Sequence, residues 1–246
     1  MIEWNKNSSS VCEIKGKRVI SKNYEKPIFL RRELFFYDLF QKNPLIRTPK
    51  IYSSDRINLK THFIESEEKD VFKTAEEWAK VHSYFMKHPQ KHHQLFIQHD
   101  IREVTSYILR NIGTFWELGL IVRDRLSDVR INRELTTLLH GDLQKKNMVT
   151  FQGNNYYFDF ELGGIGHPCR DIASMIISSP DKKDELVATY KQNIDFNYPL
   201  FEDDVDNWLL ARTSQLYIIF DKREGTAEQK KTIKGQLSKI IQGFRD

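Results

Sequence analysis

Residues 138–161 read LLHGDLQKKNMVTFQGNNYYFDFE, and this stretch decides how the rest of the chain is read. NMVTF (147–151) and YYFDF (156–160) are rich in aromatic and β-branched residues, and QGNN between them carries turn chemistry, which predicts a β-hairpin. A hairpin folds back on itself, so its outer ends meet. Asn147 opens the first strand and Asp159 lies near the end of the second, so the turn brings two oxygen-bearing side chains together. Asp142, five residues before Asn147 on the connecting loop, can face the same small volume.

Any one of these three residues reads equally well as ordinary loop polarity, because Asp and Asn favour turns. Together they form a chemical set. Mg²⁺ takes a few carboxylate or amide oxygens and completes its shell with phosphate and water. A further carboxylate that does not hold the metal can accept a proton from a hydroxyl. Metal clamping, charge neutralisation and an oriented nucleophile are the parts that phosphoryl transfer requires.

HGDLQKKN (140–147) followed by FDFE (158–161) resembles the catalytic signature of the aminoglycoside phosphotransferase and choline kinase-like family, and GIGHPCRDIA (164–173) resembles that family's turn and helix start. The resemblance implies an α+β, protein kinase-like bilobal fold: a small antiparallel-sheet lobe with one helix, expected over 1–66, and a larger, mostly helical catalytic and substrate-binding lobe over 67–246. It implies that Asp142 is the catalytic base or hydroxyl-orienting group, that Asn147 and Asp159 hold Mg²⁺, and that His140 and Asp171 brace the loop. Glu161 is placed behind the metal ligands, while Lys145 and Lys146 read either as phosphate contacts or as solvated loop lysines. Gln144 stands where protein kinases carry lysine, and Glu161 replaces the glycine of Asp-Phe-Gly. Both departures favour a small-molecule kinase.

The front of the chain fits that expectation. KRVISK ends at Lys22 in a position like the lysine of the Val-Ala-Ile-Lys pattern, and Glu33 follows eleven residues later on a predicted helix. Such a pair positions the donor phosphates; read alone, both are ordinary surface residues. The phosphate loop is expected in the turn NKNSSS (5–10), so Ser8, Ser9 and Ser10 are its candidate donors, although their Cβ atoms limit the close approach that glycine permits. THFIES (61–66) should lead into a hinge near 64–70, where backbone groups around Phe63 and Glu65 would meet the purine edge of ATP, or of GTP.

Elsewhere the periodicity predicts strands in 11–22, 51–54 and 58–66, with a short apolar start in MIEW. A helix over 29–42 carries Leu30, Leu34, Tyr37 and Phe40 on one face, and a second, over 74–88, opens with a Thr74–Glu77 capping box. A helical region is expected over 95–135, and helices over 169–178, 181–194, 203–221 and 226–244.

Composition bounds the remaining possibilities. The 246 residues carry 38 Lys and Arg against 34 Asp and Glu, a net charge of +4 without long blocks, so no basic face marks a nucleic-acid binder. The two cysteines lack metal or disulfide spacing, no apolar run reaches the ~20 residues of a membrane span, and there is no secretory signal. A cytoplasmic monomer or homodimer acting on a small hydroxyl-bearing molecule is the expectation. His88, His92, His93 and His99 cluster without zinc spacing, and His82 lies on an apolar helix face as a core residue. Glu202, Asp203, Asp204 and Asp206 suit a helix N-terminus. With Trp208 and Tyr217 they also match the acidic and aromatic groups by which aminoglycoside and choline-type members bind cationic acceptors. A kinase-like nucleotide-binding protein with a regulatory role and little transfer is the alternative, motivated by the serine loop.

Overall fold

The computed structural model of the chain describes residues 8–90, 94–111, 116–126, 135–222 and 225–243. It opens with β1 (Ser8–Ile14) and β2 (Lys17–Asn23), joined through Lys15 and Gly16, which both take the positive φ that a tight hairpin needs. Ser8, Ser9 and Ser10 therefore belong to a strand, paired with Asn23, Lys22 and Ser21, and not to a turn. The apolar start MIEW and the Asn5–Asn7 part of the expected loop lie outside the described residues.

Helix α1 (Pro27–Lys42) follows, with its proline in the first turn where no donor is lost. It buries Leu30, Tyr37 and Phe40 of the expected face, leaves Leu34 half-buried, and buries Phe36, Arg32 and Glu33 as well. Strands β3 (Ile51–Ser54) and β4 (Asn58–His62) complete a four-stranded antiparallel sheet in the order β1-β2-β4-β3. An irregular stretch, 63–70, leads out of it.

Helix α2 (Val71–Lys87) starts one turn earlier than the sequence predicts. Asp70 caps it by accepting from the Lys73 amide at 2.9 Å. Thr74 and Glu77 form no capping box: the Thr74 hydroxyl donates back to Asp70 O, and Glu77 accepts from the Tyr157 hydroxyl at 2.6 Å. The expected helical region 95–135 also divides, into β5 (Ile97–His99), α3 (Ile101–Asn111) and α4 (Trp116–Leu126). β5 pairs parallel to β9 (Gly164–Gly166), which pairs antiparallel to β6 (Thr137–Leu139). Strands of three residues carry no readable alternation. Their signature is Gly164, where a Cβ would sit 2.0 Å from Ile97 O, so only glycine lets the two backbones approach.

The expected hairpin forms as β7 (Met148–Phe151) and β8 (Asn154–Tyr157), turning at Gln152 and Gly153 with φ of 49° and 68°. Helices α5 (Cys169–Ser178), α6 (Lys183–Asn193), α7 (Phe201–Lys222) and α8 (Ala227–Gly243) match the sequence periods to within two residues at each end. One apolar core runs through both halves. Its junction is aromatic: Phe160 stacks on Phe36 of α1 with centroids 5.1 Å apart and meets His140 at 4.6 Å. α7 is the hub of the helical half, packed on α3, α4, α5 and α8, and it buries the polar run Arg212–Thr213–Ser214–Gln215 as well as its apolar residues. Among the described residues no helix is long and apolar enough to cross a membrane, and both cysteines are free thiols.

Candidate active site

The loop after β6 is fixed from three sides. Gly141 has φ +82°, and a Cβ there would lie 1.9 Å from Leu162 O, so glycine is demanded by both torsion and space. The Asp171 carboxylate, fully buried at the start of α5, accepts from the His140 amide at 2.8 Å and the Gly141 amide at 3.0 Å. His140 Nε2 lies 3.0 Å from Phe158 O, which makes it a donor and ties the loop to the hairpin. Both residues hold the loop in place, as the sequence reading assigned.

That framework presents Asp142. Its Oδ1 accepts from Gln144 Nε2 at 2.8 Å and from Arg212 Nη2 at 3.2 Å; its Oδ2 accepts from Asn147 Nδ2 at 3.1 Å and faces Lys146 Nζ at 3.3 Å. Burial alone would raise its pKa, but the charges of Lys146, Arg212 and His140 outweigh burial and hold the carboxyl below the usual range. Arg212, completely buried in α7, is the site residue that sequence reasoning missed. A single arginine in a mostly apolar helix carries no local signal.

The hairpin delivers the second half. Phe158 N donates to Asn147 O at 3.2 Å, so the outer ends meet as expected. Asp159 follows in a left-handed conformation, φ +69°, and its amide donates to Glu33 Oε1 at 3.0 Å. Lys22 Nζ joins three carboxylates: Glu33 at 3.0 Å, Glu161 at 3.4 Å, and Asp159. Burial opposes the ammonium charge, but these carboxylates together raise its pKa well above the ordinary lysine value. Glu33 is only 2 % exposed and also accepts from the hydroxyls of Tyr24 and Tyr37. Burial and the nearby Asp159 push Glu161 up to about 7.

Lys22, Asp142, Lys146, Asp159 and Glu161 all line one cavity of about 360 Å³ between the sheet and the loop. Ser8 and Ser9 line it too, and Ser10, the next residue of β1, does not. At the exit from β4 its wall is formed by His62 and Ile64. Phe63 instead donates its amide to Arg18 O at 3.2 Å and stacks its ring 3.9 Å from the Arg18 guanidinium, while Glu65 pairs with Arg18 at 3.3 Å.

No family model and no curated protein matches the chain. Solved structures do. The choline kinase LicA from Streptococcus pneumoniae superposes with a TM-score of 0.67 at 13% identity, over 96% of this chain and 88% of its own. Amicoumacin kinase hAmiN, in complex with AMP-PNP, Ca²⁺ and Ami, gives 0.71 at 15% identity, over 96% and 85%. A thermostable mutant of aminoglycoside phosphotransferase APH(4)-Ia gives 0.65 at 10% identity, over 99% and 93%.

The chain has the choline kinase-like fold.

Within this fold the donor set fits a phosphate-bound divalent cation. Asn147 turns its amide nitrogen toward Asp142, also donating to Asp142 O at 2.8 Å, which leaves its Oδ1 for a metal. Asp159 lines the cavity with its side chain 29% exposed. Among the described residues no cluster of three or more His, Cys, Asp or Glu is set to hold a metal by itself, and Mg²⁺ that borrows phosphate oxygens needs none.

The other candidate groups sit elsewhere in the fold. His82 is buried, 2.7 Å from the Tyr190 hydroxyl and 3.4 Å from Asp171. His88 stacks on Tyr84, and His99 is buried 2.8 Å from Leu162 O. His92 and His93 lie outside the described residues. Glu202 pairs with Lys191 at 2.5 Å, Asp206 with Lys183 at 2.6 Å, and Asp204 accepts from the Tyr198 hydroxyl. The Trp208 ring faces Arg170 at 5.7 Å. Lys145 is held through its backbone, its amide donating to Ser178 Oγ at 3.1 Å and its carbonyl accepting from Lys69 at 2.8 Å.

Proposed function

We propose that this chain is a kinase that transfers the γ-phosphate of ATP, with GTP as an alternative donor, to a hydroxyl group of a small molecule. The observation that carries the reading is the convergence on one cavity of Lys22, which Glu33 holds from behind, with Asp159 and Asp142. A nucleotide analogue and Ca²⁺ bound in a solved structure of the same fold support a nucleotide site here. The nucleotide half would comprise residues 1–66 and the acceptor half residues 67–246.

In this reading Lys22, held by Glu33, neutralises the donor phosphates. Serines 8 and 9 border the same space. Asn147 and Asp159 would hold Mg²⁺, which supplies further neutralisation of phosphate charge. Asp142, kept ionised by Lys146 and Arg212, orients the acceptor hydroxyl. The hydroxyl oxygen bonds to the γ-phosphorus as the bond from phosphorus to the β,γ-bridging oxygen breaks. ADP leaves with that electron pair, and the hydroxyl proton passes to Asp142.

The test is ADP release from ATP with Mg²⁺ across a panel of aminoglycosides, choline-like amines, amino acids, hydroxy acids and sugars. Acceptor-dependent release supports the reading. Tight Mg²⁺-dependent ATP binding with no transfer to any acceptor would make the chain a nucleotide-binding protein instead.

A further inference from the structure

A second cavity, of about 700 Å³, runs along α8 where it faces α5 and α7. Its volume lies in the range of small-molecule sites. Its floor is aliphatic, formed by Ile176, Ile177, Leu209 and Ile240. Two glycines of α8, Gly235 and Gly243, line it with no atom within 4 Å of where a Cβ would stand, so the space continues along the helix.

Polar atoms in the wall lack partners. Thr213 is fully buried, and its Oγ1 has no hydrogen-bond partner among the described residues. Gln236 donates through Nε2 to Ile177 O at 2.9 Å, and its buried Oε1 has none either. Both residues line the cavity. A buried polar group left unpaired in this way is destabilising unless something binds it.

The rim is charged and its charges do not cancel. Lys183 and Asp206 neutralise each other at 2.6 Å. Of the remaining rim groups, Lys231 and Lys239 make no ion pair among the described residues, and Glu228 is the one carboxylate set against them.

Two residues of the cavity wall are chain neighbours of residues that bond the catalytic loop. Ile177 lines it, and the next residue, Ser178, accepts from the Lys145 amide of the loop at 3.1 Å. Thr213 lines it, and the preceding residue, Arg212, bonds Asp142.

We infer that this groove is the acceptor site and that the acceptor is a hydroxy acid with an apolar body. The aliphatic floor takes the body, Lys231 and Lys239 take the acid group, and the hydroxyl end reaches the loop that carries Asp142. This rests on the kinase reading above. It departs from a cationic acceptor, because Glu202, Asp206 and Asp204 at the start of α7 are paired with Lys191, Lys183 and Tyr198.

The experiment uses the full chain and 10-hydroxydecanoate as probe, with 1,10-decanediol and 10-hydroxydecyl-trimethylammonium as neutral and cationic analogues. Calorimetry should give the order acid, diol, cation. The double variant Lys231→Glu/Lys239→Glu should weaken the acid by at least about tenfold and narrow or reverse the order, with its melting curve and ATP affinity confirming a folded chain. Absence of acid binding to the unaltered chain, or an order that charge reversal does not move, overturns the groove assignment. Acid bound in the groove but not phosphorylated, while other hydroxyl compounds are, overturns the acceptor role. If no hydroxyl compound is phosphorylated, the kinase reading fails, and charge-dependent acid binding still identifies the groove as a ligand site.

Discussion

Arg212 Nη2 donates to Asp142 Oδ1 at 3.2 Å across seventy residues of sequence. Both side chains are buried, so each charge compensates the other away from water. The bond ties the hub helix of the C-terminal half to the carboxylate proposed to receive the hydroxyl proton.

Removing Arg212 leaves the buried Asp142 carboxylate with an exposed lysine, Lys146, as its nearest charge partner. Arg212→Met is expected to destabilise the chain by about 3–5 kcal/mol. Combined with Asp142→Asn, the loss should be smaller than the sum of the single losses by about 1–3 kcal/mol. Denaturant melts of the four proteins in the cycle measure this coupling. Strict additivity would mean that the two residues do not act as a pair.

Lys22 offsets three carboxylates at once, and donor phosphates would add more negative charge beside it. Lys22→Met should lower phosphoryl transfer by about 10²–10³-fold. Glu33→Gln should cost less, because Tyr24, Tyr37 and the Asp159 amide would still orient the amide that replaces the carboxylate. Steady-state kinetics with ATP as the varied substrate separate the two variants.

Two glycines with positive φ provide an internal comparison. Gly153, at the hairpin tip, has nothing within 4 Å of a built Cβ, so Gly153→Ala should cost only the left-handed backbone strain of about 1–2 kcal/mol. Gly141→Ala adds a collision with Leu162 O and should cost clearly more, about 3–5 kcal/mol, with loss of activity. Equal thermal shifts for the two variants would contradict the packing described for the loop.

The hairpin and its three polar residues were legible because they are local: turn chemistry, strand composition and Asp-to-Asn spacing all fall within two dozen residues. The Lys22–Glu33 pair was legible only through resemblance, since nothing in KRVISK or RREL announces burial. Arg212 was not legible, because its role depends on how α7 lies against a loop seventy residues away. Strands β5 and β9 were missed for a related reason: three residues give no alternation, and their partners are distant in sequence. The Thr74–Glu77 spacing misled because Asp70 offers an earlier cap and Tyr157 engages Glu77.

His167 supplies a pH dependence. Burial pushes its imidazole down to about 4, while Nε2 lies 2.7 Å from the Tyr198 hydroxyl. In the unfolded chain the same group titrates near 6.5. Between these values the unfolded state binds the extra proton, so stability falls as pH drops from about 6.5 to 4, by about 3 kcal/mol, and this group adds no slope above 6.5. Chemical denaturation of His167→Gln across that window should show a shallower slope than the unaltered chain. An unchanged slope would place the titration elsewhere.

The role proposed for Asp142 is to receive the proton of an acceptor hydroxyl beside a bound nucleotide. Its most direct test is acceptor-dependent ADP release by Asp142→Asn, measured alongside ATP affinity with Mg²⁺ present. The expected result is a loss of turnover of at least about 10³-fold, with ATP bound within a few-fold of the unaltered affinity. Turnover near that of the unaltered chain would contradict the role assigned to Asp142.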